Sequence, residues 1–202
     1  MSLLTNQQRA NAGSHRAGHR VALAGLLAMV MASGYWTPCR AQSDLQIAEY
    51  KVKAAFLYKF ASYVEWPPQV FERAETPLVI GVAGADALSD ELARLIAGRS
   101  IGGRPMVVRR LRRGEAVDGV HILFIGRSDG GRLSETLASA KGRPVLTVTE
   151  SEDAFALGSV INFVIVDDKV RFDVALREAE QANLKVSARL LAVARKVVAG
   201  PS

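Results

Sequence analysis

Gly126-Arg127-Ser128-Asp129-Gly130 sets a serine in the string G-x-S-x-G, between the apolar run HILFI (121–125) and a helix-like segment, GRLSETLASA (131–140). A serine on a sharp strand-to-helix turn is how α/β-hydrolases present a nucleophile. Such a serine needs a base within about 2.6–3.2 Å, and on those scaffolds the histidine follows it in the chain. The three histidines are His15, His19 and His121, and none follows Ser128. If the run from His121 is extended at roughly 3.3 Å per residue, the imidazole lies on the order of 20 Å from the serine. Ser128 therefore reads as a loop residue. His15, His19 and Cys39, the single cysteine, lie in the stretch read below as a leader, so a zinc site on His121 would have to lean on carboxylates, which is uncommon. His121 reads as a strand residue held by a backbone or loop partner. No catalytic residue, metal or cofactor is expected.

Two other stretches could meet an anion. Gly81–Asp86, GVAGAD, joins a strand to a helix, where a helix N-terminus could receive one. With only Gly81 and Gly84 the dinucleotide fingerprint is incomplete, and a tight turn is the better account. RPMVVRRLRRGE concentrates Arg104, Arg109, Arg110, Arg112 and Arg113. Alternation along a strand would split them between faces, with Arg110 and Arg112 together, so they do not make the flat basic surface that nucleic acid wants. The pI of 9.8 points the same way once divided along the chain. Residues 1–41 carry Arg9, Arg16, Arg20 and Arg40 and no carboxylate, so removing 4 charges from +6 leaves +2 on the remainder. Nucleic acid is not an expected partner. The strand reads first as a solvated or edge-protecting one, with Arg110 and Arg112 as candidates for an acidic partner or anionic lipid headgroups. Glu65 and Trp66 at a helix end, and Lys185 and Arg189 on the outward side of the last helix, are the other candidate contacts, because aromatic and charged anchors dominate protein interfaces. No ligand-binding residue is assigned.

The elements that must position these residues follow from patterning. An acid-free basic stretch and VALAGLLAMVMA (21–32) have the form of a signal peptide over 1–41, with cleavage after Ala41 and Ala32 as a second candidate. The apolar run is shorter than the roughly 20 residues of a spanning helix, so export to the periplasm is expected and Cys39 leaves with the leader. The remainder, 42–202, reads as one domain. Its first helix starts at an Asp44 cap and stops at Pro67-Pro68. Ile47, Tyr50, Ala54, Leu57, Ala61 and Val64 form an apolar stripe widened by Val52, Phe56, Phe60 and Tyr63, with Lys51, Lys53, Lys59 and Glu65 on a narrow wet edge. A helix this apolar is deeply buried or partly covered by a partner, and self-association as a homodimer is expected. Strand-like PLVIGVAG, RPMVVRRL, GVHILFIG and RPVLTVTE alternate with helix-like ADALSDELARLIAG and GRLSETLASA. SVINFVIVDDKVRFDV divides at Asp167-Asp168 into a hairpin, and ALREAEQANLKVSARLLAVARKV closes the chain as one or two helices. The expected fold is a three-layer α/β domain, a mainly parallel sheet with an antiparallel hairpin edge, flanked by helices.

YKVKAAFLYKFASYVEWP, IGVAG, HILFI, RPVLTVTE, INFVIVDDKVRFDV and LKVSARLLAVAR, in that order across residues 48–196, resemble the YfiR family of exported bacterial proteins. The resemblance implies a periplasmic regulator rather than an enzyme. Such a regulator represses an inner-membrane diguanylate cyclase by binding its extracytoplasmic sensor domain, lowers cyclic-di-GMP signalling and biofilm formation, and is withdrawn by an outer-membrane lipoprotein. Many relatives place a cysteine just before the histidine of HILF. Val120 stands there in this chain, so thiol-based redox control is not carried over. The alternative is a periplasmic small-ligand-binding protein that serves a different sensor, such as a histidine kinase or a receptor-linked system.

Overall fold

A computed structural model describes residues 38–199, with side chains from Leu45 onward. The expected leader, its cleavage point and Cys39 fall outside the described side chains. Every contact given below belongs to the unit Leu45–Ser202.

LVIGVA and ILFI take the centre of the sheet because they are apolar on both faces and are covered on both. The elements run α1 (Pro38–Tyr63), β1 (Val64–Glu65), β2 (Leu78–Ala83), α2 (Asp86–Ile96), β3 (Ser100–Ile101), β4 (Arg104–Leu111) and β5 (Ile122–Ile125). A 3₁₀ turn over Arg127–Arg132 leads into α3 (Leu133–Ala140) and β6 (Leu146–Thr149). The chain ends with β7 (Ile161–Val166), β8 (Lys169–Ala175), α4 (Leu176–Gln181), β9 (Lys185–Val186), α5 (Ala188–Val193) and β10 (Lys196–Val198). Eight strands form one sheet in the order β10-β8-β7-β6-β5-β2-β4-β3, and β1 pairs with β9 in a separate ribbon. The pairs from β4 through β2, β5 and β6 to β7 are parallel, as is β8 with β10; β7–β8 and β3–β4 are antiparallel.

The α/β class and the mainly parallel sheet with an antiparallel hairpin are those expected. Asp167 and Asp168 both take positive φ, which lets a two-residue turn match the twist of its strands. The hairpin sits one strand in from the margin, because Lys196–Val198 pairs with Asp173–Ala175 outside it. ARKVV had looked like the tail of a helix, and the open edge of β8 draws it into a strand instead. Lys185, expected on the last helix, lies on β9 opposite Glu65. That pairing also ends α1 at Tyr63, before the prolines are reached.

One face of the sheet carries the larger core: Ala54, Leu57 and Phe60 of α1 and Leu88 and Leu92 of α2 pack on Ile80, Ile122, Phe124, Phe163 and Phe172. The other face is covered by α3 through Leu133 and Leu137 and by Val117 and Val120. Two neighbours on α1 exchange their expected places: Val52 is 43% exposed, whereas Lys53 is 0% exposed. Lys53 lies four residues before Leu57 and seven before Phe60, which puts all three on one side of the helix. Val52 falls outside that side.

Candidate functional site

At the N-terminal edge of the parallel strands, His121 is buried between two aromatic rings. Phe71 stacks on its imidazole at 4.7 Å between centroids, and Trp66 meets it edge-on at 6.4 Å. Arg104 lies over the far face of Phe71 at 4.0 Å and donates to the carbonyls of Arg73 and Ala74. Val79 N–H donates to Nδ1 of His121 at 3.1 Å, which places the ring proton on Nε2. Trp66 Nε1 donates to the His121 carbonyl at 3.3 Å. Trp66 thus seals the lower edge of the core, half-buried. Beside it Glu65 and Lys185 face each other across the β1–β9 ribbon, both exposed. Arg189 is exposed on α5, which opens with the Ser187 side chain accepting from Leu190 N–H.

Arg110 and Arg112 are not part of that group. They lie at the opposite, C-terminal edge of the sheet, where Arg110 pairs with Asp90 and donates to Ser89 Oγ. Arg112 falls beyond the end of β4, and its backbone N–H donates to Glu115. Arg109 spans the carbonyls of Asp118 and Ala116. Arg104 and Arg109 clamp loops and Arg110 ties the strand to α2, uses that the alternation of a strand does not reveal.

Burial pushes the pKa of His121 down to about 4, with the nearby Arg104 charge acting in the same direction. A proton added at Nδ1 would also face the Val79 N–H, donor against donor. The unfolded chain takes up this proton near pH 6.5 and the folded chain only near 4. The stability this histidine contributes is therefore complete above about 6.5 and falls as pH drops through that window. Allowing for partial relaxation and water access, the loss is roughly 2 kcal/mol. Thermal unfolding followed from pH 7.5 to 4 should show this decline, and His121→Asn should flatten it.

The C-terminal edge holds the topological switch of the sheet, between β2 and β5, where open α/β folds commonly bind ligands. Here the crevice is closed by backbone. A Cβ on Gly84 would stand 2.6 Å from Asp129 N, and one on Gly126 would stand 2.6 Å from the Gly84 carbonyl. The Gly81–Asp86 turn and the 126–130 turn pack onto each other at this point. Ser128 is exposed in the 3₁₀ turn at this edge, with His121 at the far end of β5. A fluorophosphonate probe should leave the folded protein unlabelled. Among the described residues no cluster of three His, Cys, Asp or Glu is placed to hold a metal ion.

One arrangement here escaped sequence reasoning. The ammonium of Lys53 bonds to Glu49 on its own helix and to Glu150 just past β6. Arg127 N–H donates to Glu150 at 2.9 Å, and its guanidinium lies 3.6 Å from Glu49. Two cations and two carboxylates thereby tie α1 to the loops after β5 and β6. The i, i+4 spacing of Glu49 and Lys53, on the face shared with Leu57 and Phe60, was the available signal. A 140 Å³ recess beside the quartet is lined by Gly126, Arg127, Leu133 and Glu150. A larger cleft of about 560 Å³ opens between α3, the 155–158 turn and α4.

No helix among the described residues is long and apolar enough to cross a membrane. No curated protein matches the chain. The family model described as YfiR/HmsC-like (DUF4154) matches residues 50–195. The span takes in α1 from Tyr50, the whole sheet as far as β8, and α5. By that match the chain belongs to the YfiR/HmsC-like family, a regulatory, generally non-enzymatic family known as periplasmic repressors of diguanylate cyclases.

Proposed function

We propose that this protein is a periplasmic regulator that binds the extracytoplasmic sensor domain of an inner-membrane diguanylate cyclase and holds the cyclase inactive. The observation that carries the reading is the family match across residues 50–195. Repression of this kind is a population shift. A regulator with equal affinity for the active and inactive forms shifts nothing, and moving a target from 1:99 to 99:1 takes about 5.5 kcal/mol of preference. The protein itself need make or break no bond. A homodimer and a releasing outer-membrane lipoprotein complete the proposal, with Glu65, Trp66 and Lys185 as one contact group and Arg189 near it in the chain. Deleting the gene should raise cellular cyclic-di-GMP and biofilm formation, and restoring it should reverse both. Unchanged levels in the deletion strain would refute the cyclase reading.

The 560 Å³ cleft favours a second reading, a small-ligand-binding accessory of a different sensor. Its floor includes Val145 and Thr147, and Lys141 and Arg177 stand at its rim. A thermal-shift screen of small anions that gives no stabilisation would remove it.

A further inference from the structure

Much of the apolar stripe of α1 is spent on the sheet; what remains outside is Leu45 and Ile47 on its early turns and, after them, a narrow strip of defined chemistry. Val52, Ala55 and Phe56 line a shallow apolar recess bounded by Lys51 at one end and Lys59 at the other. Phe56 closes its floor, with its ring held against Phe60, Phe163 and Phe172. Lys51 also borders the adjoining groove between α1 and α2, where Arg99 lies 5.4 Å over the Tyr58 ring. The carboxylates nearest this surface are already engaged: Glu49 and Glu150 by Lys53, and Glu91 by Arg94. Among the described residues Lys51, Lys59 and Arg99 take part in no ion pair.

We propose that the outward face of α1, Val52, Ala55 and Phe56 flanked by Lys51 and Lys59, with Arg99 in the adjoining groove, is the surface on which the cyclase's extracytoplasmic domain docks. The matching segment on that domain presents an apolar ridge flanked by carboxylates. This rests on the cyclase reading and adds the surface to it. Charge complementarity selects the occupant. A second copy packed on this face about a two-fold axis would set its lysines against the same unneutralised cations. A bilayer would want an apolar side chain free to insert at the recess, and the largest one lining it, Phe56, is committed to the core, while the exposed Leu45 and Ile47 lie on the turns before it. An acidic-rimmed protein segment meets neither obstacle.

Val52→Asp and the pair Lys51→Glu/Lys59→Glu test the surface, since all three positions are exposed. The purified protein is titrated against each purified extracytoplasmic domain of the host's membrane diguanylate cyclases. The same variants are returned to the deletion strain for cyclic-di-GMP measurement. Circular dichroism melts should match the unsubstituted protein. Each variant should weaken binding by about tenfold or more and lose repression, as expected of substitutions at an interface centre. The lysine pair should also reduce the salt dependence of binding. Binding and repression that survive both variants overturn the face and leave the cyclase reading intact. No binding of the unsubstituted protein to any of these domains, together with no effect of gene deletion, overturns both. Unchanged cyclase binding, with lost co-sedimentation on phosphatidylglycerol vesicles or lost self-association in sedimentation velocity, assigns the face to lipid or to a second copy and equally overturns the proposal.

Discussion

Lys53→Met should lower the unfolding free energy by about 3–5 kcal/mol, the range for removing one partner of a buried ion pair. The ammonium is wholly enclosed, and the Glu150 side chain keeps only 4% of its surface in water. Bringing these charges together in the interior is itself costly, so the intact pair adds little net stability. Stranding Glu150 is what hurts, and Arg127, 3.9 Å away and largely exposed, offsets only part of it. Adding Glu150→Gln to Lys53→Met should therefore recover much of the loss. Urea unfolding of the wild type, both single variants and the double variant closes a cycle, and a coupling below about 0.5 kcal/mol would contradict the description. Since a domain has about 5–15 kcal/mol in hand, Lys53→Met alone should also cut the cellular level of the protein. Repression assays on it must be normalised to abundance.

The second large effect is expected at the sealed switch point. Gly84→Ala introduces a Cβ 2.6 Å from the backbone nitrogen of Asp129, at a residue with φ of +65°. The left-handed backbone costs a non-glycine residue about 1 kcal/mol. The overlap adds about 1–3 kcal/mol, since the atom in the way is backbone and cannot swing aside. Gly98→Ala separates the two contributions: its φ is +69° but its Cβ would meet nothing within 4 Å. A loss of about 1 kcal/mol at Gly98 and of about 2–4 kcal/mol at Gly84, read from urea midpoints, is the expected pattern. Equal losses at the two positions would mean that the loops are not packed as described. Gly126→Ala, whose Cβ would lie 2.6 Å from the Gly84 carbonyl, has φ of −82° and should show the overlap cost alone, about 1–3 kcal/mol. The same packing closes the point between β2 and β5 where such sheets often hold ligands, and leaves the 140 Å³ recess beside Gly126 and Arg127.

The alternation of strand and helix, the hairpin at Asp167-Asp168, the amphipathic spacing of α2 and the aromatic first helix were all legible in the chain. Each is a local pattern, set by residues within a few positions of one another. The dismissal of Ser128 was likewise a matter of residue inventory and chain distance. Contacts between segments remote in sequence were out of reach of such reasoning. Lys53 was placed on the wet edge because a lysine is usually solvated. Its burial depends on Glu150, 97 residues away, arriving at the end of β6. Lys185 looked helical until β9 found β1, and Lys196–Val198 became a strand through the vacant edge of β8. Arg104 and Arg109 read as surface charge, and only the folded loops supply the carbonyls that they bind. By itself, then, the sequence determined most of the element types and the regulator family, since periodicity and motif order are properties of one dimension. Which charged groups are buried, which glycines seal the switch point and which strip of α1 is left bare were decided by tertiary packing, because desolvation and steric overlap act between segments that only the fold brings together.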